Sequence, residues 1–253
     1  MVDQNVLARL HLSAVLQNLE EVVAHDAEAG AIARDWNHVL QFSCPGGIGA
    51  HVEFGGGRAR VTPGTTSWPQ VALWLPSATQ LNHMFMGEGF ALPIPWSGPW
   101  RVGLLKGFAA LSKRMEHYLR PDDATLADRK NFEFHTKCLL YTAVFGLKEV
   151  GEYDAKAAPS ARSAPDGVAE FRIKGGPSAC LVVKGGKLFP KKGAAVSPNA
   201  VLEFEDYDAA FGVLSGKSDA MALMGSCRAK LAGRVPLIDK LNAALDRLAV
   251  YLN

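Results

Sequence analysis

The sequence lacks several features that would place it directly in a functional class. No run approaches the roughly 20 apolar residues that span a bilayer, so we predict no transmembrane helix. The formal net charge is only +2, without a cluster of Lys and Arg, which excludes a typical nucleic-acid-binding surface. The N-terminus has no basic run followed by an apolar core, so we expect no signal peptide and a cytoplasmic protein.

Cysteine is scarce, and its four positions lack the close spacing of a metal site: Cys44, Cys138, Cys180 and Cys227. We therefore expect free thiols in a reducing compartment. None of the glycine runs is followed by the Lys-Ser/Thr pair of a phosphate-binding loop, so we interpret them as hairpin turns. The sequence thus predicts no metal and no cofactor.

Tryptophan is missing after residue 100 and histidine after residue 135. All five tryptophans therefore lie in the first half, where Met84, Phe85, Met86 and Phe90 add further large apolar side chains. Such side chains are common in lipid pockets and also in ordinary cores. The sequence alone leaves a ligand cavity and a packed core equally open for this region.

The chain contains one long stretch twice. Shifted by 129 positions, residues 42–87 match residues 171–216 without a gap, and ten of the 46 positions are identical. Average composition would give roughly three identities. Flanking residues also repeat, at offsets of 128 and 133: Leu19/Leu147, Glu21/Glu149, Val22/Val150, Asp26/Asp154, Arg101/Arg234, Leu104/Leu237, Ala110/Ala243, Arg114/Arg247, Tyr118/Tyr251 and Leu119/Leu252. We interpret the chain as a tandem duplication with domains at 1–120 and 121–253.

The same local signals recur in each copy. A Gly-Gly hairpin is followed by a proline, an apolar strand, a helix capped by Ser77 or Asp206, and a long closing helix. The copies differ before that last helix. The second has a strand-like segment at 227–231, whereas the first has Pro93, Pro95 and Pro99, which predict an edge, irregular or missing strand and a shortened sheet.

Two further expectations concern the second copy. The composition of residues 155–167 indicates a mobile loop. The closing helix should bury a stripe made by five leucines: Leu237, Leu241, Leu245, Leu248 and Leu252.

The order of motifs in residues 168–252 resembles the sterol carrier protein-2 family. The motifs are a proline before a strand, an acidic cap, an aromatic-containing helix, Ser-Gly-Lys, Met-Gly, a Lys-containing strand ending in Gly, and a closing helix. They lie at Pro198, Glu205 to Asp208 with Phe211, Ser215-Gly216-Lys217, Met224-Gly225, Lys230 to Gly233, and Leu237 onward. The first copy resembles the family mainly through the second.

The resemblance implies an α+β fold, with two tandem domains that each have a mostly antiparallel five-stranded sheet covered on one face by helices. It also implies an apolar cavity that binds or transfers a fatty acid, acyl chain, sterol or similar lipid without catalysis. The expected ligand-binding residues are Trp74, Met84, Phe85, Phe90, Trp96, Trp100, Phe108, Phe204, Phe211, Leu214, Met221, Met224, Leu237 and Leu241. Expected partners are a hydrophobic small molecule, a protein partner or second copy, and at most a transient membrane contact.

Two alternatives stay open at this point. The chain could be an accessory interaction module of a lipid or quinone pathway, with filled cores and an apolar docking surface. It could also be an enzyme that uses the cavity as its active site, with His135 or an acidic residue as the base. His135 and Cys138 lie three apart on a helix and could form a base–nucleophile pair.

Overall fold

The computed structural model describes residues 2–252, which form two compact units divided between Asp122 and Asp123. Unit 1 comprises α1 (Gln4–Leu10), a π-helical turn (His11–Val15), α2 (Asn18–His25), α3 (Ala27–Ala33), β1 (His38–Cys44), β2 (Ile48–Gly55), β3 (Arg58–Pro63), β4 (Val71–Trp74), α4 (Ala78–Met86), β5 (Ile94–Ser97) and α5 (Val102–Leu119).

Unit 2 follows the same plan with two additional short helices. It comprises α6 (Asp123–Ala127), α7 (Arg129–Tyr153), α8 (Ala158–Arg162), β6 (Gly167–Ile173), β7 (Ser178–Lys184), β8 (Lys187–Lys192), β9 (Ala200–Phe204), α9 (Tyr207–Leu214), α10 (Ala220–Gly225), β10 (Ala229–Gly233) and α11 (Val235–Leu252).

Each unit has one five-stranded sheet, and the two sheets have the same strand order. The orders are β3-β2-β1-β4-β5 and β8-β7-β6-β9-β10. Only the central pairs β1–β4 and β6–β9 are parallel; the other neighbours are antiparallel. The α+β class with two mostly antiparallel sheets and helices is therefore confirmed.

The local signals act as the sequence predicts. The Ser77 hydroxyl accepts a hydrogen bond from the Gln80 N–H at 3.2 Å and begins α4, and Asp206 does the same for α9 through Ala209 at 2.7 Å. Gly87 at φ 69° follows α4, and its repeat partner Gly216 has φ 71°. These positive φ values favour glycine, which explains why both positions keep it.

The fifth strand of unit 1 corrects the expectation of a shortened sheet. β5 pairs with β4 as an edge strand, and the register breaks between Ala72 and Leu73. Pro95 within β5 has no N–H to donate, so the strand is irregular, but it is present. The last strand of unit 2 lies slightly later than predicted, at Ala229–Gly233, because Cys227 takes a positive φ of 59°.

The segment 155–167 is also not the mobile loop that its composition suggested. It contains α8, whose small side chains Ala158 and Ala161 are buried. The Ser160 hydroxyl donates to the Lys240 carbonyl at 2.9 Å, which joins α8 to α11. Alanine-rich sequence here allows close helix packing rather than disorder.

The buried face of α11 differs from the predicted stripe of five leucines. Leu245 is only half-buried and Leu252 is 43% exposed, whereas Ile238, Ala244 and Tyr251 are buried. The predicted stripe advanced mostly by four residues, and a helix with 3.6 residues per turn rotates such a stripe away from the core. Within residues 2–252, no helix is long and apolar enough to cross a bilayer.

Candidate functional site

An aromatic layer lies between the centre of the first sheet and the helices α4 and α5. Phe42, on the central strand β1, is 1% exposed. Its ring centroid lies 5.2 Å from that of Phe108 on α5 and 6.2 Å from that of Phe85 on α4. These distances are typical of contacting aromatic pairs. The structure therefore brings two predicted ligand-binding residues together on opposite sides of one buried ring.

Trp36 extends this layer, and the sequence analysis did not select it as a ligand-binding residue. Its ring meets Phe54 edge-to-face at 4.9 Å. A Cβ added at Gly107 of α5 would lie 2.4 Å from Trp36 Cζ2, so this glycine allows the indole to lie against the helix. One sequence signal could have indicated this contact: Gly107 lies inside an amphipathic helix of the copy that holds every tryptophan.

The aromatic layer is not fully closed. Phe85 and Phe108 are half-buried, as are Trp36 and Met84. Trp74, also half-buried, pairs with Ser43, so its side chain lies on the opposite face of the sheet from Phe42. The aromatic layer beneath α4 and α5 therefore keeps part of its apolar surface exposed at the margin.

Three other predicted site residues of unit 1 lie outside this layer. Phe90, Trp96 and Trp100 are 68%, 60% and 79% exposed. Three aliphatic side chains of the same segment are also exposed, and we call the six together the aromatic strip: Phe90, Leu92, Ile94, Trp96, Trp100 and Val102. The structure therefore does not bring these three predicted residues together with Phe85 and Phe108, because β5 completes the sheet and its segment lies at the edge.

In unit 2, the equivalent layer has smaller side chains at two of its three positions. Phe171 corresponds to Phe42, but Leu214 and Leu241 stand where unit 1 has Phe85 and Phe108. Leu241 is 0% exposed, whereas Leu214 is half-buried. The remaining predicted residues divide into three groups: Phe204 and Leu237 are buried, Phe211 and Met224 are half-buried, and Met221 is 73% exposed.

Phe211 occupies an aromatic and cationic environment. Its centroid lies 5.1 Å from Phe132 and 5.8 Å from His135, and the Lys217 Nζ lies 4.9 Å from its ring centroid. The Lys217 position agrees with a cation–π contact. This side of unit 2 is closed by ring contacts from α7.

Unit 1 has a polar cluster at the corresponding place. His11 Nδ1 and Asn82 Oδ1 are 3.0 Å apart and buried, and the Asn82 amide donates to the Gln4 carbonyl at 3.0 Å. The His11 ring also stacks on Phe85, with centroids 5.3 Å apart. Burial lowers the pKa of His11 from 6.5 to about 4, against the Asn82 hydrogen bond that raises it and with Arg120 lowering it further. A neutral imidazole therefore borders the aromatic layer.

In each unit, a buried aspartate at the equivalent position of the repeat binds the closing helix. Asp26 accepts hydrogen bonds from Arg114 and Tyr118 of α5, and Asp154 accepts them from Arg247 and Tyr251 of α11. Each aspartate also accepts from backbone N–H groups that follow it.

The pKa of Asp154 is strongly lowered. Burial by itself raises the pKa of Asp154, but hydrogen bonds from Arg247, Tyr251 and two backbone N–H groups outweigh it and lower the pKa to about 2. The pKa of Asp26 is lowered by the equivalent groups. These aspartates hold structure together and are not candidates for a catalytic base.

The candidate base–nucleophile pair is buried. His135 and Cys138 on α7 are 6% and 0% exposed, and the aligned positions in unit 1 are Leu7 and Leu10, which are buried as well. All four cysteines are free thiols. In residues 2–252, no three His, Cys, Asp or Glu side chains are arranged to hold a metal ion.

A groove of about 810 Å³ lies at a different place in unit 1. It is open and its lining is mixed in polarity, with Glu20, Glu53, Arg58 and Arg60 among apolar and backbone groups of β1 to β3. None of the predicted ligand-binding residues lines it. Its charged lining does not fit an acyl chain or a sterol ring.

Comparisons with known proteins identify similar solved structures. No family model matches the sequence, and no curated protein matches it. A palmitated SCP2L2 structure from Aedes aegypti is 18% identical with a TM-score of 0.32, and the alignment covers 41% of this chain and 91% of that one. A sterol carrier protein 2 crystal structure is 14% identical, with a TM-score of 0.35 and coverage of 44% and 92%. A UbiJ-SCP2 ubiquinone synthesis protein is 18% identical, with a TM-score of 0.33 and coverage of 42% and 94%.

Proposed function

We propose that this protein binds and transfers a hydrophobic ligand, such as a fatty acid, an acyl chain or a sterol, without catalysis. The observation that carries the proposal is the incompletely closed aromatic layer of unit 1. In this layer, the Phe42 ring on the sheet contacts Phe85 of α4 and Phe108 of α5. A ligand entering beneath α5 would meet rings and methyl groups rather than charges.

Burial of apolar surface supplies the driving force. A chain of twelve methylenes at about 0.8 kcal/mol each gives roughly 10 kcal/mol before the losses from immobilising the ligand. That range suits reversible carriage rather than permanent retention. The polar edge made by His11 and Asn82 adds hydrogen-bonding groups near Phe85, where the head of a bound lipid would lie.

The motifs that resemble the sterol carrier family and the matching strand orders of both units support the same function. We further propose that the units are duplicated copies that act in the cytoplasm without a cofactor. The burial of His135 and Cys138 supports a non-catalytic role, because a nucleophile must reach its substrate.

Extraction tests this proposal directly. The purified protein is extracted with organic solvent, and the released molecules are identified by mass spectrometry. The expected result is a stoichiometric lipid, and delipidated protein should rebind a fatty acid with Phe108→Ala weaker than wild type. Val196→Ser serves as a control because Val196 is fully exposed in unit 2. A protein that releases no lipid and binds neither a fatty acid nor a sterol would refute the proposal.

A second candidate is an accessory interaction module. It is favoured by the closed layer of unit 2, where Phe204, Leu237 and Leu241 are fully buried. Unit 2 would then contribute structure or a protein partner, and unit 1 would hold the ligand. Release of at most one lipid per chain agrees with this division of roles.

A further inference from the structure

The aromatic strip holds six of the seven large apolar side chains that are exposed among the described residues of unit 1. Its six side chains lie within residues 90–102, and their exposure ranges from 41% for Ile94 to 79% for Trp100. Single exposed apolar residues are ordinary on protein surfaces, but contiguous ones mark an interaction site. The corresponding part of unit 2 exposes Met221 and Val235 without any aromatic side chain.

The strip is held firmly at the edge of the sheet. Ser97 donates its hydroxyl to the Pro69 carbonyl at 3.1 Å. Gly98, at φ 64°, approaches the Gln70 carbonyl so closely that an added Cβ would lie 2.1 Å from it. Trp68, which is 86% exposed, directly precedes Pro69, the residue that Ser97 contacts.

The backbone of the strip resists pairing with another strand. Pro93, Pro95 and Pro99 lack the N–H groups that a sheet-extending partner would need. Edge strands that must not recruit another chain carry proline for this reason. The exposed side chains, rather than the backbone, are therefore the binding groups.

Cations outnumber acidic side chains around the strip. Residues 88–116 contain Arg101, Lys106, Lys113 and Arg114 against Glu88 and Glu116, and Arg114 is bound to Asp26. Lys106 and Lys113 are exposed on the face of α5 that begins at Val102 of the strip. Two exposed lysines of α5 thus accompany the aromatic strip.

We infer that the aromatic strip docks unit 1 onto a bilayer that contains anionic phospholipids. Tryptophan and phenylalanine prefer the boundary between headgroups and acyl chains, where the rings are apolar and the indole N–H stays hydrated. Lys106 and Lys113 add attraction to phosphate headgroups. This surface is separate from the internal layer of the proposed function, so each has its own test.

Vesicle co-sedimentation tests the docking surface. The probes are vesicles of phosphatidylcholine alone and of phosphatidylcholine with phosphatidylglycerol in equal parts. The full chain should bind the anionic vesicles more tightly, and high salt should weaken that binding. Trp96→Ser with Trp100→Ser should reduce the binding constant by about tenfold or more, because the apolar contact is lost. Lys106→Gln with Lys113→Gln should reduce it by about twentyfold, and only on anionic vesicles.

Val196→Ser with Val250→Ser is the matched control, since both valines are exposed in unit 2. It should bind vesicles like the wild type. Unchanged melting of the tryptophan variant excludes misfolding as the cause of a loss.

Two results would overturn the inference: wild-type protein that stays unbound with both vesicle types, or vesicle binding that persists in the tryptophan variant. Dissociation of a dimer by the tryptophan variant, with no vesicle binding in either form, would assign the strip to self-association instead. Failure to bind a fatty acid in solution would remove only the proposed function.

Discussion

Phe108 in unit 1 and Leu241 in unit 2 occupy the same position in the repeat, yet one is half-buried and the other is fully buried. Their neighbours follow the same division. Phe85 is half-buried beside the polar pair of His11 and Asn82. In unit 2, the positions of that pair hold Leu139 and Phe211.

This difference shows that one backbone plan accommodates two kinds of interior. The strand order, the helix caps and the buried aspartate are shared. The side chains beneath the closing helix are not shared. In unit 1 the rings of Phe85 and Phe108 are both half-buried, whereas in unit 2 Leu241 is fully buried and only Leu214 is half-buried. The comparison therefore predicts that unit 1 is the more open and ligand-responsive of the two.

The largest effect is expected from a charge placed in the closed layer. Leu241→Asp should lower the free energy of unfolding of unit 2 by about 5 kcal/mol, since it removes a buried side chain and leaves a carboxylate without a partner. Phe108→Asp should cost unit 1 about half as much, because the half-buried site lets water reach the carboxylate. Hydrogen exchange resolved by unit measures both changes. Equal losses would mean that the two layers are equally closed.

The next effect should be the same in both units. Asp26→Asn and Asp154→Asn each remove the charge that binds an arginine and a tyrosine of the closing helix, and each should cost about 3–4 kcal/mol. The low pKa of Asp154 gives stability that is fully present above pH 3.8 and lost as the pH falls toward 2. Asp154→Asn should remove this acid dependence in denaturant titrations. Loss of stability in only one unit would contradict equivalent roles for the two aspartates.

A third effect should be confined to unit 1. His11 stays neutral in the folded protein until about pH 4, whereas the unfolded chain takes up the proton near pH 6.5. The stability from its neutral burial is present above pH 6.5 and is lost as the pH falls toward 4, by about 3 kcal/mol. Tryptophan fluorescence melting reports on unit 1, because all five tryptophans lie there. His11→Leu, the residue at the aligned position of unit 2, should remove this dependence. An unchanged pH profile in that variant would exclude His11 as its source.

Some of this architecture could be predicted from sequence, for physical reasons. The Gly-Gly turns, the caps Ser77 and Asp206, and the gapless offset of 129 depend on local backbone chemistry, and the structure places β1 and β6 at that offset. The fifth strand of unit 1 could not be predicted from its own residues, and only the family resemblance implied it. Pro95 disfavours a strand locally, but pairing with β4 at the edge overrides that preference.

The candidate site was predicted in part. Phe85 and Phe108 meet on Phe42 as their apolar patterns suggested, but Trp96 and Trp100 face away from that layer. Sequence gives the size and polarity of a side chain but not whether an irregular, proline-rich segment turns it inward. The buried aspartates were visible as repeated Asp, Arg and Tyr positions, yet their contact spans about 90 residues and needed the fold to become apparent.

The central claim is that the open layer of unit 1 binds the hydrophobic ligand. Fluorescence of Trp36 tests it most directly, in a chain where Trp68, Trp74, Trp96 and Trp100 are replaced by Phe so that indoles outside the layer do not contribute. Titration of the delipidated protein with a fatty acid should shift or quench the emission, and Phe108→Ala in the same background should weaken the response. Measurable binding with constant emission and an affinity unaffected by Phe108→Ala would contradict the claim and assign the lipid site to unit 2.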